Sequence, residues 1–137
     1  MTVRQIKLPE IRILLFEKAK SKGAVFPIIK SHISHVSKFA QIGEGSIFLH
    51  NSLINSSVKI GTNCIINKKA LIEYDSEIRF HCHVSTGVII NGCVVVEDRC
   101  FIGSGAIVHE AVKIGEGSVI SAGSIVRKDL SSGTLLK

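Results

Sequence analysis

Residues 84–108 read VSTGVIINGCVVVEDRCFIGSGAIV. Val84, Ile90, Val96, Ile102 and Val108 stand six apart, and all are β-branched. The frame extends upstream through Ile78, Ile72, Ile66, Ile60, Ile54, Phe48 and Ile42 to Val36, and downstream through Ile114 and Ile120 to Val126. Every position on it is apolar. Four residues after each anchor stands a residue that is nearly always small: Ala40, Ser46, Ser52, Val58, Cys64 and Ala70 open that series. A period of six suits neither a helix nor a flat strand. It suits a short strand followed by a tight turn, with the anchor pointing inward and the small residue at the bend. Gly often follows the anchor, as at Ile42-Gly43 and Ile102-Gly103, and Gly and Asn supply turn conformations with positive φ. Three hexads close one triangular coil of 18 residues, and coils stack at about 4.8 Å, as strands do in a sheet. Sixteen unbroken hexads predict about five coils.

The remaining composition agrees with a single all-β domain. The chain has 137 residues, 45% of them apolar, yet only six Phe, one Tyr and no Trp. Such a chain buries enough aliphatic surface to exclude disorder. No apolar run approaches the roughly 20 residues of a membrane span, and no apolar stretch of a secretory signal follows Met1–Lys7, so a cytoplasmic location is expected. The formal net charge is +6, but residues 1–30 carry seven basic and two acidic groups while residues 31–137 are close to neutral. With no aromatic stacking platform or recognised motif, that local excess does not indicate nucleic-acid binding.

The N-terminal segment reads differently. PEIRILLFEKAKSK, residues 9–22, has helix formers, Pro at its start and Gly23 just past its end, which is the punctuation of a helix. This helix is expected to cap the open first coil, since an uncovered coil presents an unpaired strand edge. The expected organisation is a helical cap over residues 1–35, a β-helix over 36–130 and a tail over 131–137. Cys64, Cys82 and Cys100 stand 18 apart, one per coil, and Cys93 falls in a turn. They form neither a zinc-ligand pattern nor a disulfide framework and read as packing, so no metal is expected. His83 is placed on an outer face between Ile65 and Phe101. His81 falls in the preceding turn, and His109 falls one coil beyond Asn91, beside Glu110.

Val36–Val126 resembles the hexapeptide-repeat family, which implies a left-handed parallel β-helix. The hand comes from the resemblance, since ordinary crossovers favour the right hand. Within it, Asn67–Gly105 resembles the sialic-acid O-acetyltransferases and bacillosamine-type amino-sugar N-acetyltransferases, through NKKALIEYD at 67–75, His83-Val84-Ser85, Gly92 and Phe101-Ile102-Gly103. That resemblance implies an acetyl-CoA-dependent acetyltransferase acting on an amino or hydroxyl group of a sugar or nucleotide-sugar, with its active site between the subunits of a homotrimer. It implies catalytic roles at Tyr74, Asp75 and His83, cofactor contacts at His83, Gly92, Ser104 and Ala122, and an acceptor contact at Asn67. Tyr74 stands where that group carries its His base. The Rossmann-like sugar domain that precedes the β-helix in that group is not in this sequence, which ends near the point where the group continues into a Gly-x-Pro-Ala loop. These departures leave a second reading, a catalytically degenerate trimeric β-helix serving as scaffold or partner subunit. A β-helical zinc carbonic anhydrase is disfavoured, because that type needs two His five apart and His81 and His83 stand two apart. The apolar outward residues Ile47, Ile65, Ile89, Val95, Phe101, Ile107 and Val119 support an assembly that covers them.

Overall fold

The computed structural model describes residues 9–137. Arg4, Lys7 and the first eight residues of the expected cap lie outside the described residues. Among the described residues, eighteen two-residue strands follow one helix, α1 (Glu10–Ser21). They pair only in parallel and only with the strand one coil away, as in Ile65↔His83↔Phe101 and Leu71↔Ile89↔Ile107. The result is a left-handed β-helix with three flat sides. Face A runs from Ile29–Lys30 through Ile47–Phe48, Ile65–Ile66, His83–Val84, Phe101–Ile102 and Val119–Ile120 to Leu135–Leu136. Face B runs from His35–Val36 to Ile125–Val126, and face C from Gln41–Ile42 to Lys113–Ile114.

The anchors fill the interior as expected: those from Phe48 to Val126 are buried. There are about six coils rather than five. The extra strands were hidden because the hexad frame fails at both ends. Lys30 holds an anchor position on face A, pairing with Phe48, and its charge ended the apolar series. At the other end the last coil is two residues short. Leu130, not Ser132, bridges to Ile114, and Leu135–Leu136 then pairs with Val119–Ile120. Part of the expected C-terminal tail is therefore a strand.

Two kinds of residue shape the corners. From Gly45 to Gly123 every sixth residue has positive φ, including Lys69, Asp75, His81, Cys93 and Ala111. The glycines after the anchors have another job. A Cβ at Gly43 would lie 2.5 Å from the backbone of Gly61, and one at Gly103 would lie 2.5 Å from the Ala122 nitrogen. They permit close stacking of coils rather than a left-handed turn. The cysteine ladder is structural: Cys64, Cys82 and Cys100 are buried, and each thiol donates to a carbonyl of the next coil, at Arg79, Glu97 and Gly115. Ser46 begins the column with the same bond to Gly61. Burial pushes the Cys82 thiol well above its ordinary value, which keeps it protonated.

The helix does not cap the open coil. Among the described residues the inner positions of the first coil stay uncovered: Lys30 is exposed, and Val36 and Ile42 are half-buried. Instead α1 runs beside the corner between faces C and A. Arg12 donates to the carbonyls of Asn63 and, at 2.7 Å, His81. Phe16 packs on Phe26 with ring centres 4.3 Å apart and edge-on to His81 at 6.1 Å. Lys20 pairs with Glu44. Lys30 puts a charge on this edge among the described residues, which disfavours edge-to-edge pairing.

Candidate active site

The three faces differ chemically. Face C is polar outside, with Gln41, Lys59, Glu77 and Lys113 around Val95. Arg79 bridges Glu77 at 3.0 Å and Glu97 at 3.4 Å, and Lys113 reaches Glu97 at 2.9 Å. The hydrogen bond from Lys113 is the main reason the Glu97 carboxyl sits below its ordinary range. Val95, expected on an apolar row, belongs to this charged side. Faces A and B are apolar outside. Ile47, Ile65, Phe101 and Val119 lie on A, and Leu53, Leu71, Ile89, Ile107 and Ile125 on B.

The expected site residues fall on two separate edges. Asn67, Ser104 and Ala122 lie at corners between faces A and B, and His83 lies on face A. His83 is half-buried between Ile65 and Phe101, whose ring it meets edge-on at 5.2 Å. Its Nε2 is 3.5 Å from the Asn67 side-chain nitrogen. Asn67 also accepts the Lys68 N–H at 2.7 Å, which fixes the amide at the bend. Above them a groove of about 290 Å³ is lined by Phe101, Gly103, Ser104, Val119, Ala122 and Lys137 among others. It has apolar walls, a backbone floor and one cation.

Tyr74, Asp75 and Gly92 occupy the other edge, at corners between faces B and C. Tyr74 is half-exposed. Its ring lies across Gly92: a Cβ at Gly92 would be 3.0 Å from Cε2 and 3.4 Å from the hydroxyl. Only Gly leaves room for that ring. Asp75 carries the positive φ of its turn, and its N–H donates to Ser56. The corner opens into a groove of about 470 Å³ lined by Glu73, Tyr74, Asn91, Gly92, His109 and Glu110. His109 and Glu110 were not among the expected site residues. The 18-residue register carried the signal, because it stacks Glu73, Asn91 and His109 in one row and Tyr74, Gly92 and Glu110 in the next. One chain therefore does not bring His83 to Tyr74. Among the described residues no group of three or more His, Cys, Asp and Glu is placed to hold a metal, and no helix is long and apolar enough to cross a membrane.

Residues 93–128 match the family model described as the hexapeptide repeat of succinyl-transferase. No curated protein sequence matches. Among solved structures, a mutant of perosamine N-acetyltransferase from Caulobacter crescentus, in complex with CoA and GDP-perosamine, superposes with a TM-score of 0.90 at 31% identity, covering 93% of this chain and 60% of that one. WeeI from Acinetobacter baumannii gives 0.90 at 25% identity, covering 96% of this chain and 65% of that one. The acetyltransferase domain of PglB from Neisseria gonorrhoeae gives 0.91 at 24% identity and shares the fold. The chain thus spans about three fifths of the length of these relatives. Repeat, coil and superposition together make this a left-handed β-helix built of hexapeptide repeats, similar in fold to perosamine N-acetyltransferase over about three fifths of that chain's length.

Proposed function

We propose that the chain is an acetyl-CoA-dependent acetyltransferase that modifies an amino or hydroxyl group of a sugar or nucleotide-sugar, in the cytoplasm, as a homotrimer. The likeness to perosamine N-acetyltransferase, which binds CoA and GDP-perosamine, supports the substrates. The observation that carries the reading is the division of the site. His83, Asn67, Ser104 and Ala122 stand on one edge and Tyr74, Asp75 and Gly92 on another, so a complete site needs face A of one copy beside the edge of face B on the next. The apolar exteriors of both faces favour such a contact, whereas charged face C is suited to solvent.

In the assembled site the groove at Ser104 and Ala122 takes the thioester arm, with Lys137 near its phosphates. The Gly92 carbonyl accepts from Ala111 at 2.9 Å, while its N–H has no acceptor among the described residues. That N–H is suited to the carbonyl oxygen of the thioester as charge develops there. Asn67 orients His83 or the acceptor. Tyr74 and Asp75 line the acceptor's approach. Holding acceptor and thioester in register supplies much of the acceleration.

The test is complementation. His83→Ala and Tyr74→Ala variants are each expected to lose most thiol release from acetyl-CoA with GDP-perosamine as the probe acceptor. Mixing and reassembling the two is expected to restore part of it, because some sites then combine two intact edges. A monomer by light scattering, or CoA binding undetectable by calorimetry, would overturn the proposal.

A further inference from the structure

We propose that His109 is the general base of this chain's transfer reaction, working in the groove it shares with Tyr74. The assignment rests on the acetyltransferase reading above. It starts from a chemical problem at the corner between faces B and C. A phenol, with an ordinary pKa near 10, is a poor proton acceptor at neutral pH, whereas an imidazole, near 6.5, is matched to the task. The base therefore has to be sought among the groups that face Tyr74.

The stacking supplies one. The Tyr74 ring climbs along the coil axis: its hydroxyl lies 3.4 Å from the position a Gly92 Cβ would occupy, one coil above its own backbone. The next coil, about 4.8 Å further, carries His109 and Glu110. Tyr74 and His109 thus line a single open groove of about 470 Å³, their backbones two coils apart. The absence of a side chain at Gly92 opens that path. The other polar groups of the groove are already engaged. Asn55 donates to the Glu73 carboxylate at 2.6 Å, and Asn91 donates to the Val108 carbonyl at 2.8 Å. The side chains of His109 and Glu110 are exposed and make no hydrogen bond or ion pair among the described residues. His83 is placed differently, half-buried on face A between Ile65 and Phe101 and facing Asn67. It belongs to the opposite wall and is better suited to the thioester than to the acceptor.

The step balances within this arrangement. The acceptor nitrogen or oxygen bonds to the thioester carbonyl carbon as its proton passes to a ring nitrogen of His109. The C–S bond then breaks with its electron pair on sulfur. The imidazolium returns the proton to that thiolate, leaving free CoA thiol and neutral His109. Tyr74 orients the acceptor by hydrogen bonding, and Glu110 stabilises the imidazolium.

The experiment compares the full chain with His109→Ala, using acetyl-CoA with GDP-perosamine, and with water alone as the acceptor. The variant is expected to bind CoA within about twofold of the parent, keep its melting temperature, and lose roughly 10²- to 10⁴-fold in turnover. Added imidazole is expected to recover part of that loss, which restoring a merely structural residue would not do. Turnover by His109→Ala within about threefold of the parent overturns the assignment and leaves the acetyltransferase reading standing. A loss that imidazole does not reverse, accompanied by a lower melting temperature, also overturns it. A parent that neither binds CoA nor turns over acetyl-CoA overturns the reading and this assignment together.

Discussion

The Arg12→Met substitution isolates what holds α1 to the β-helix. Arg12 is almost buried, and its guanidinium donates to the carbonyls of Asn63 and His81, two successive corners of the same column. A hydrogen bond from a charged donor is worth about 1.5–3 kcal/mol. Against two such bonds stands the desolvation of the guanidinium, which is the main cause pulling its pKa below the ordinary value. Met keeps the apolar stem and removes both donors, while the freed carbonyls, at a corner, regain water. The net weakening of helix docking comes to about 2–4 kcal/mol, and at 1.4 kcal/mol per factor of ten the detached population rises roughly 30- to 1,000-fold. A twelve-residue helix is marginal on its own, so detachment melts it. Lys18 and Lys20 then become trypsin sites. The assay is limited trypsinolysis followed by mass spectrometry, with hydrogen exchange on the α1 amides as a second readout. Cleavage at Lys18 and Lys20 is expected to accelerate by that factor while the β-helix keeps its melting temperature within a few degrees. If cleavage there is unchanged, or if melting falls steeply with no local opening, the pair of bonds is not a separable clamp and the reasoning fails.

Two further predictions address the corners. In Gly92→Ala the new methyl meets Tyr74 ring carbons at 3.0 and 3.1 Å, and the half-exposed ring swings aside by about half an ångström or more. Since a misplacement of 1 Å costs about 10²-fold, turnover is expected to fall about tenfold with an unchanged melting temperature; steady-state kinetics beside calorimetry check both. His81 is held below its ordinary value of 6.5, chiefly by burial and then by the Arg12 charge, with Arg99 adding to the depression and Glu17 and Asp98 opposing it. The folded state therefore binds fewer protons than the unfolded one on the acid side, so this stability is fully present above about pH 6.5 and is lost as pH falls from there through the lower folded value. His81→Asn, which tolerates the positive φ there, is expected to flatten the fall in melting temperature between about pH 7 and pH 5.

The interior of this protein is legible in its sequence because a β-helix repeats one physical requirement every six residues. Ile54, Ile72, Ile90 and Val108 fill equivalent space, so each reinforces the reading of the others. Where that space ends, so does the signal: Lys30 is an anchor by register and a surface residue by environment, and Leu130 keeps register only because the last coil is two residues short. The positive-φ column was only partly visible. Asn63 and Gly87 suit such turns, but Lys69, Cys93 and Ala111 adopt them because the coils above and below fix their backbone. The path of α1 was not visible at all. Arg12 reads as a solvated charge on a helix, and its partners lie 51 and 69 residues away. The candidate site was legible as rows and opaque as a volume. The 18-residue step places Gly92 over Tyr74 and His109 over Asn91, but which rows share a groove depends on the Tyr74 ring's course across Gly92.

The unlike faces bear on why the proposed trimer would have a site at all. In a roughly triangular prism, two adjoining faces meet at about 60°, so pressing face A of each copy flat on face B of the next would close a ring of about six. A ring of three turns each copy by about 120° instead. Each A–B pair then opens as a wedge of about 60°, with the corners at Asn67, Ser104 and Ala122 innermost and the corners at Tyr74, Gly92 and His109 at the rim. Such a wedge is apolar at depth and polar at its mouth, which suits a thioester arm lying inside and a polar acceptor arriving from solvent. His83 looks into the wedge from one wall, and His109 stands at the edge of the other. The same geometry fits the charge concentrated on face C, where Glu77, Arg79, Glu97 and Lys113 join across coils: in the proposed trimer it is the face that no neighbour would cover. Reversing that pattern with charges at Ile89 and Ile107 is expected to give monomers by light scattering with the β-helix intact by circular dichroism, and to abolish turnover with it. Turnover surviving in such monomers would mean that a single chain suffices, and the divided site would lose its rationale.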